Sequence, residues 1–151
     1  MRDALASWGV FTHILCPVDF SPDSERALAA ALALARVATG HVTLLTVVDP
    51  LLSAGASAAG ADAVLDKQTQ DELRQLLDRA APGLASAVAV SVRVGEPAAE
   101  ILTQADESNA DVIVMGMRGV GGTQKLLLGS TSQDVLEAAR VPVLVVPPPD
   151  R

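Results

Sequence analysis

The chain has 151 residues, half of them hydrophobic, and a formal net charge of -7 at pH 7. This length predicts a single domain over 1–151, and the acidic balance excludes proteins that hold a nucleic-acid backbone by concentrated positive charge. No apolar run approaches the ~20 residues of a membrane span, and the first ten residues lack the apolar core of a secretory signal. The single cysteine excludes an intrachain disulfide and fits a reducing compartment. We therefore expect a soluble cytoplasmic protein without a nucleic-acid or membrane partner.

Five short apolar runs alternate along the chain with segments that carry an apolar stripe at helical spacing. After an N-terminal lead over 1–11, these runs predict strands at 13–19, 41–48, 88–94, 111–115 and 141–146. Helices are predicted to begin at Pro22, near Ala63, at Pro97 and near Ser130, and proline suits the first turn of two of them. The stretch 50–62 is rich in Ser, Ala and Gly without a clear period, and we interpret it as a mobile loop.

The strict alternation of strands and helices predicts an α/β fold, an open doubly wound parallel sheet with helices on both faces. In such sheets ligands bind beyond the carboxyl ends of the strands, at the point where the strand order reverses. Asp19, Val47 and Gly116 are predicted to fall at carboxyl ends. His13 and His41 precede strands, so we expect them at the opposite end of the sheet, away from any site.

A glycine-rich loop follows the fourth strand. It runs from Gly116 to Gly129 and leads into three consecutive hydroxyl residues that begin at Ser130. Glycines let the backbone approach a ligand closely, and the amides at a helix start bind anions such as phosphate. Ser130 and Gln133 also form the S-x-x-Q pattern of a capping box, in which the serine only caps the helix. Both interpretations stay open on residue types alone, and the two roles can coexist.

Two common phosphate motifs are absent from the sequence. The chain has no G-x-x-x-x-G-K-[ST], and the nearest approach to G-x-G-x-x-G starts at Gly119 and has Gln124 where glycine is required. Neither a P-loop enzyme nor a dinucleotide dehydrogenase is therefore predicted. Lys125 lies midway between the glycine anchors, and we interpret it as a solvated loop charge.

The glycine spacing resembles that of the universal stress protein family, whose nucleotide-binding members have Gly, two residues, Gly, nine residues, Gly and then Ser or Thr. Here that pattern is formed by Gly116, Gly119, Gly129 and Ser130. The resemblance covers nearly the whole chain, since it extends to Pro17-Val-Asp19 after the first strand, to a valine within 45–49 and to 142–146. It implies an ATP-binding domain with strand order 3-2-1-4-5, in which the first and fourth strands flank the reversal point.

The resemblance also implies roles for particular positions. Asp19 and the backbone at Val47 would hold the adenosine part, the turn after the fourth strand would lie against ribose and phosphate, and the segment from Gly129 would hold the phosphates. Asp19 has an alternative role in capping the turn before the first helix, and Arg118 either meets a phosphate or extends into solvent. The candidate binding residues are Pro17, Val18, Asp19, Val47, Met115, Gly116, Arg118, Gly119, Gly129, Ser130, Thr131 and Ser132.

The implied ligand is ATP, with AMP or another adenosine ligand as the alternative and Mg2+ bridging the phosphates. No catalytic set and no acidic cluster for a metal is visible in the sequence, so we predict a nucleotide-binding stress-response or regulatory protein whose bound nucleotide is a signal or structural ligand. The alternatives are a nucleotide-free dimeric interaction module and a slow ATPase. The last strand, with ends at Val141 and Val146, is predicted to form a homodimer because an unpaired sheet edge favours pairing with a second copy. The family resemblance supports this.

Overall fold

The computed structural model describes residues 11–84, 87–119 and 128–149. Its strands are β1 His13–Pro17, β2 His41–Val48, β3 Ala89–Val94, β4 Val112–Gly116 and β5 Val143–Val146. Its helices are α1 Pro22–Ala38, α2 Pro50–Ala58, α3 Asp62–Ala80, α4 Pro97–Glu107 and α5 Ser130–Ala138. None of these helices combines the length and the apolar character that crossing a membrane requires.

The five strands form one parallel sheet in the order β3-β2-β1-β4-β5. The chain builds outward from β1 to β3 and then crosses to the other side of β1 for β4 and β5. The strand order therefore reverses between β1 and β4, which pair with Ile14 opposite Val112. The predicted doubly wound α/β fold and its strand order are confirmed.

Each face of the sheet is covered by its own pair of helices, because successive strand residues point to opposite faces. Ile14 and Cys16 point into a core that includes residues of α1 and α3, whereas Leu15 points into a core that includes residues of α4 and α5. Burial raises the pKa of the Cys16 thiol, which stays protonated. The resulting three-layer packing leaves the two ends of the sheet as the places where polar groups meet.

The interpretation of 50–62 as a loop is wrong for most of that stretch, because Pro50–Ala58 forms α2. The Asp49 carboxylate accepts a hydrogen bond from the Leu51 amide at 2.7 Å, and a proline at the first helical position suits a helix start. None of the residues of α2 is buried, and Leu51 is 83% exposed. Since no face is buried, the helix has no apolar stripe that a periodicity search can detect. The mobility of the stretch stays a prediction.

Two strands are shorter by two residues than the sequence predicts, and β3 by one. β1 ends at Pro17 and not at Asp19, although the Val18 amide still donates to the Leu45 carbonyl at 2.8 Å. β5 begins at Val143 and not at Val141, because Pro142 has no amide to donate and only its carbonyl takes part, accepting from Ile113 at 3.0 Å. Because β1 ends at Pro17, the residues that follow it form the turn that leads into α1.

Candidate functional site

A cavity of about 400 Å3 lies at the carboxyl ends of the strands, where the order reverses between β1 and β4. All twelve candidate residues of the sequence line it. The described residues around it are Pro17, Val18, Asp19, Ser24, Leu45, Val47, Pro97, Ile101, Met115, Gly116, Arg118, Gly119, Gly129, Ser130, Thr131 and Ser132. The fold thus brings segments that are more than a hundred residues apart in the chain to one opening.

Four of the lining residues were missed by sequence reasoning: Ser24, Leu45, Pro97 and Ile101. Leu45 and Ile101 are buried and belong to the core, so their hydrophobicity gave no sign of a ligand wall. Pro97 begins α4 and resembles any other proline at a helix start. Ser24 was detectable in principle, since it lies three residues after the N-cap Ser21 in the first turn of α1.

The turn between β1 and α1 is held rigidly at the rim of the cavity. The Thr46 hydroxyl donates to the Val18 carbonyl at 2.9 Å, which ties the turn to β2. Phe20 has a φ of 64°, a left-handed conformation that is unfavourable for a bulky side chain and that surrounding contacts must hold in place. The chain is therefore fixed where it presents Asp19.

Asp19 combines the two roles that the sequence left open. One carboxylate oxygen, Oδ1, accepts from the Ser21 amide at 3.1 Å, so the residue does cap the turn before α1. The other oxygen, Oδ2, lies so close to Gly119 that a Cβ added there would collide with it. The carboxylate is exposed and lines the cavity beside the turn that it caps.

Gly129 lines the cavity on the β4 side. The Gly129 amide donates to the Met117 carbonyl at 2.8 Å, and a Cβ on Gly129 would lie 3.3 Å from the Arg118 Cα. The start of α5 therefore packs directly on the turn that follows β4. The backbone of Gly129 is extended, with φ at -69°, which any residue can adopt. Glycine is therefore needed at this position for the close approach and not for an unusual backbone conformation.

The amino end of α5 differs from those of the other described helices. α1, α2 and α4 have side-chain caps from Ser21, Asp49 and Glu96, and α3 has Asp62 in its first turn. α5 has neither a side-chain cap nor an acidic residue in its first turn. Its outward-pointing amides and the positive end of its dipole therefore adjoin the cavity without an acid in their own first turn, an arrangement that suits a bound anion.

The capping-box interpretation of Ser130 and Gln133 is wrong. The N-cap of α5 is Gly129, and Ser130 is the first helical residue, with its side chain making no cap hydrogen bond. The Gln133 side chain does not reach back, because its amide nitrogen donates to the Glu137 carboxylate at 3.0 Å. The pattern was misread by one residue, since glycine and serine are both acceptable N-caps and stand side by side here.

Ser132 has a different local role from its two neighbours. Its side chain is buried, and its hydroxyl donates to the Gly116 carbonyl at 2.8 Å, which ties α5 to the end of β4. That hydroxyl proton is thus already used within the protein, and only the Ser132 amide remains for a ligand. Ser130 is exposed and Thr131 half-buried, so their hydroxyls are the ones placed for contact.

Arg118 lines the cavity and is paired with an acid of α1, so its side chain does not extend freely into solvent. Its contact with a phosphate stays a prediction. Its Nε lies 3.3 Å from Oδ2 of Asp23, and its backbone amide donates to the same oxygen at 3.1 Å. Sequence reasoning missed Asp23, because an acid in the first turn of a helix is usually explained by the helix dipole. Lys125, predicted as a loop charge, lies outside the described residues.

At the opposite end of the sheet, His13 and His41 begin neighbouring strands and stack with ring centroids 4.3 Å apart. Burial and the neighbouring His41 lower the pKa of His13. The Asp111 carboxylate accepts from the His13 amide at 2.8 Å and from the Thr12 amide and hydroxyl, each at 3.1 Å. Burial raises the pKa of Asp111, but these hydrogen bonds outweigh it and leave the pKa below its ordinary value. The histidines thus lie away from the cavity, as predicted.

Comparison with known proteins agrees with this architecture. A model of the universal stress protein family matches residues 11–147. Over 146 residues the chain is 31% identical to universal stress protein MJ0531 of Methanocaldococcus jannaschii, covering 94% of this chain and 85% of that protein. The structure of protein MJ0577 from the same archaeon superposes with a TM-score of 0.77 at 28% identity, covering 95% of this chain and 100% of the other.

A second solved structure, a universal stress protein in complex with cAMP, superposes with a TM-score of 0.65 at 27% identity. That match covers 91% of this chain and 99% of the other. The family model spans most of the chain, and both solved structures cover it almost from end to end. The chain belongs to the universal stress protein family.

Proposed function

We propose that this universal stress protein binds an adenine nucleotide, ATP or a related adenosine ligand such as AMP, in the cavity at the carboxyl ends of β1 and β4. The observation that carries the proposal is the amino end of α5, which adjoins the cavity without a side-chain cap or a first-turn acid. Amide groups in that position favour a phosphate group over a neutral ligand. The nucleotide is proposed as a signal or structural ligand.

The adenosine part would occupy the side of the cavity formed by β1 and β2. Pro17, Val18 and Val47 provide apolar surface there, and the buried side chains of Leu45 and Ile101 extend it. An adenine ring is largely apolar on its faces, so such walls suit it. The Asp19 carboxylate then accepts from a ribose hydroxyl or from the adenine amino group.

The phosphate part would lie over the first turn of α5. The amides of this turn and the hydroxyls of Ser130 and Thr131 are the proposed donors. Gly119 has no side chain, so it can lie against the Asp19 carboxylate at the same cavity. The described residues contain no group of three or more metal-ligating side chains. Mg2+ therefore enters the proposal as an ion that bridges the phosphates of the ligand.

A relative in the same family supports the adenine assignment, because its structure was solved in complex with cAMP. At 27% identity and almost full coverage, that protein shares the fold that positions the cavity. It supports a nucleotide with an adenine base and leaves the phosphate number open. We propose binding as the activity of this chain, with ATP hydrolysis slow at most.

Gly129 is the residue whose substitution tests the proposal, with Gly55 as a matched control. A Cβ on Gly129 meets Arg118 at 3.3 Å and the Met117 carbonyl at 3.4 Å, whereas a Cβ on Gly55 meets nothing within 4 Å. Gly129→Val should weaken nucleotide binding by about tenfold or more, while Gly55→Val leaves it unchanged. Isothermal calorimetry with AMP and with ATP plus Mg2+ measures both. Unchanged affinity in a folded Gly129→Val protein would exclude the α5 site.

Calorimetry, thermal shift and a phosphate-release assay together test the two alternatives, a nucleotide-free interaction module and a slow ATPase. A nucleotide-free interaction module predicts no heat and no thermal shift with either nucleotide in the wild-type protein. A slow ATPase predicts phosphate release that scales with protein concentration and disappears in Gly129→Val. Binding without release supports the signal or structural role proposed here.

We also propose a homodimer through β5. Among the described strands, β5 pairs only with β4, and Leu144 on it is 45% exposed. Pro142 and Pro147 bound the strand and limit how far a second copy can pair along it. Sedimentation velocity at micromolar concentration should show a dimer that Leu144→Asp converts to monomer; a wild-type monomer would contradict the proposal.

A further inference from the structure

Arg118 is the one cationic side chain among the described residues that line the cavity, and it is held by Asp23. The Arg118 Nε and the Arg118 amide both contact Oδ2 of Asp23, at 3.3 and 3.1 Å. The two side chains are only 20% and 11% exposed, so solvent screens the pair weakly. A phosphate that recruited this guanidinium would have to compete with a carboxylate already in place.

Close packing of the backbone at Asp23 against Gly116 fixes the position of Asp23. Gly116 has no side chain, and a Cβ there would lie 2.7 Å from the Asp23 carbonyl carbon and 2.8 Å from its oxygen. The first turn of α1 therefore packs against the end of β4, and Asp23 is 8% exposed. Its carboxylate is a fixed part of the site and not a surface acid that can move away.

Among the described residues, the charged side chains in and beside the cavity sum to a negative value. The described lining residues include one further charged side chain, the carboxylate of Asp19. Asp19, Asp23 and Arg118 together carry two negative charges and one positive charge. Backbone amides stabilise a phosphate but carry no net charge, so each additional phosphate group meets growing repulsion in the absence of a cation.

We propose that Asp23 is a specificity-determining residue: by holding Arg118, it favours nucleotides with a single phosphate group and admits a triphosphate only as its magnesium complex. This inference rests on the proposed adenine-nucleotide site and narrows its ligand class. Mg2+ bound to the phosphates supplies the positive charge that Arg118 cannot.

The wild-type protein provides the first test, by calorimetry with AMP and ATP in EDTA and then with Mg2+. In EDTA, AMP should bind about tenfold more tightly than ATP, and Mg2+ should raise the ATP affinity much more than the AMP affinity. Tighter binding of ATP than of AMP in EDTA overturns the inference while leaving the proposed function intact. Absence of binding by either nucleotide under both conditions overturns both.

Asp23→Asn, with Glu25→Gln as control, tests the residue itself. The asparagine keeps an oxygen for the Arg118 amide and removes the charge, so the ratio of ATP to AMP affinity in EDTA should rise about tenfold. Glu25→Gln removes one charge from the same turn, where Glu25 pairs with Arg79 at 3.2 Å outside the cavity, and should change the ratio less than about twofold. An equal change in both variants overturns the inference.

The double variant Asp23→Asn/Arg118→Gln distinguishes two causes of a higher ATP-to-AMP affinity ratio: the release of Arg118 and the loss of the Asp23 charge. The gain in the ATP-to-AMP ratio should disappear in it, because the proposal assigns that gain to Arg118. A gain that persists without Arg118 overturns the pairing mechanism. If Asp23→Asn does not fold, the wild-type comparison in EDTA and Mg2+ decides the question alone.

Discussion

At the amino end of the sheet, the Asp111 carboxylate accepts hydrogen bonds from the Thr12 amide, the Thr12 hydroxyl and the His13 amide. At the carboxyl end, the first turn of α5 adjoins a cavity with no side-chain cap and no acidic residue to balance its amides. Both ends contain charged and polar residues beside β1 and β4. The difference is that an acid at the amino end accepts from the Thr12 and His13 amides, whereas the first turn of α5 at the carboxyl end has no acid of its own.

The two ends can be compared by asking which polar groups have hydrogen-bond partners within the protein, whatever their residue type. An acid at the amino end and the acid Asp23 at the carboxyl end both hold backbone amides, and both are structural in that sense. At the carboxyl end, the cavity wall also contains the first turn of α5, which has no acidic residue of its own. Variants that break each end should therefore differ in what they change, stability at one end and binding at the other.

The largest effect is expected for Gly116→Val. The new side chain would start 2.7 Å from the Asp23 carbonyl carbon, so α1 and β4 must separate. We expect the free energy of unfolding to fall by about 3 kcal/mol, measured by urea denaturation. Gly55→Val, which meets nothing within 4 Å, should stay within about 0.5 kcal/mol of wild type. Equal stability of both variants would contradict the close approach at Gly116.

Ser132→Ala removes the hydroxyl that donates to the buried Gly116 carbonyl at 2.8 Å. The unpaired acceptor should lower the free energy of unfolding by about 1.5 kcal/mol. Nucleotide affinity should change little, because the Ser132 amide is retained. A variant with native stability and lost binding would show instead that this hydroxyl contacts the ligand.

Asp111→Asn tests the amino end and carries a pH dependence. The pKa of Asp111 is lowered in the folded protein, so its carboxylate stabilises the fold above its ordinary pKa and this contribution is lost as pH falls through the lowered folded value. At neutral pH the variant should be less stable by about 1 kcal/mol, with unchanged nucleotide binding. The difference from wild type should vanish in strong acid. A constant difference at every pH would contradict the assignment to the carboxylate.

The smallest expected effect is the one that distinguishes the two ends most sharply. Ser130→Asp places a carboxylate in the first turn of α5, which otherwise has no acid. It should raise the free energy of unfolding by about 0.5 kcal/mol through the helix dipole and yet weaken nucleotide binding. Chemical denaturation and calorimetry on the same sample measure both, and stabilisation with unchanged affinity would contradict the phosphate position.

Several features were predictable from the sequence because they depend on local patterns. Alternating apolar runs and stripes predicted the parallel sheet. The glycine spacing marked Gly116, Gly119, Gly129 and Ser130, which all line the cavity. Glycine at 116 and 129 matters through close approach of one backbone to another, and glycine at 119 through close approach of the backbone to the Asp19 carboxylate. The spacing reflects these approaches even without knowledge of the partner atoms.

Other features depend on contacts between distant residues and have no local pattern. Asp23 meets Arg118 across 95 positions, and Ser132 meets Gly116 across 16. α2 has no buried face, so it leaves no periodic signal. The N-cap of α5 was misassigned by one residue because Gly129 and Ser130 are both suitable, and only the backbone geometry separates them.

Titration of the isotope-labelled protein with AMP, followed by amide chemical shifts in NMR, tests the central claim most directly. Bound nucleotide should shift the amides of Gly116, Gly119 and the first turn of α5, while the amides of His13 and His41 stay unchanged. Saturable shifts confined to the carboxyl end are the predicted result. Shifts confined to the amino end, or none at saturating AMP and at saturating ATP with Mg2+, would contradict it.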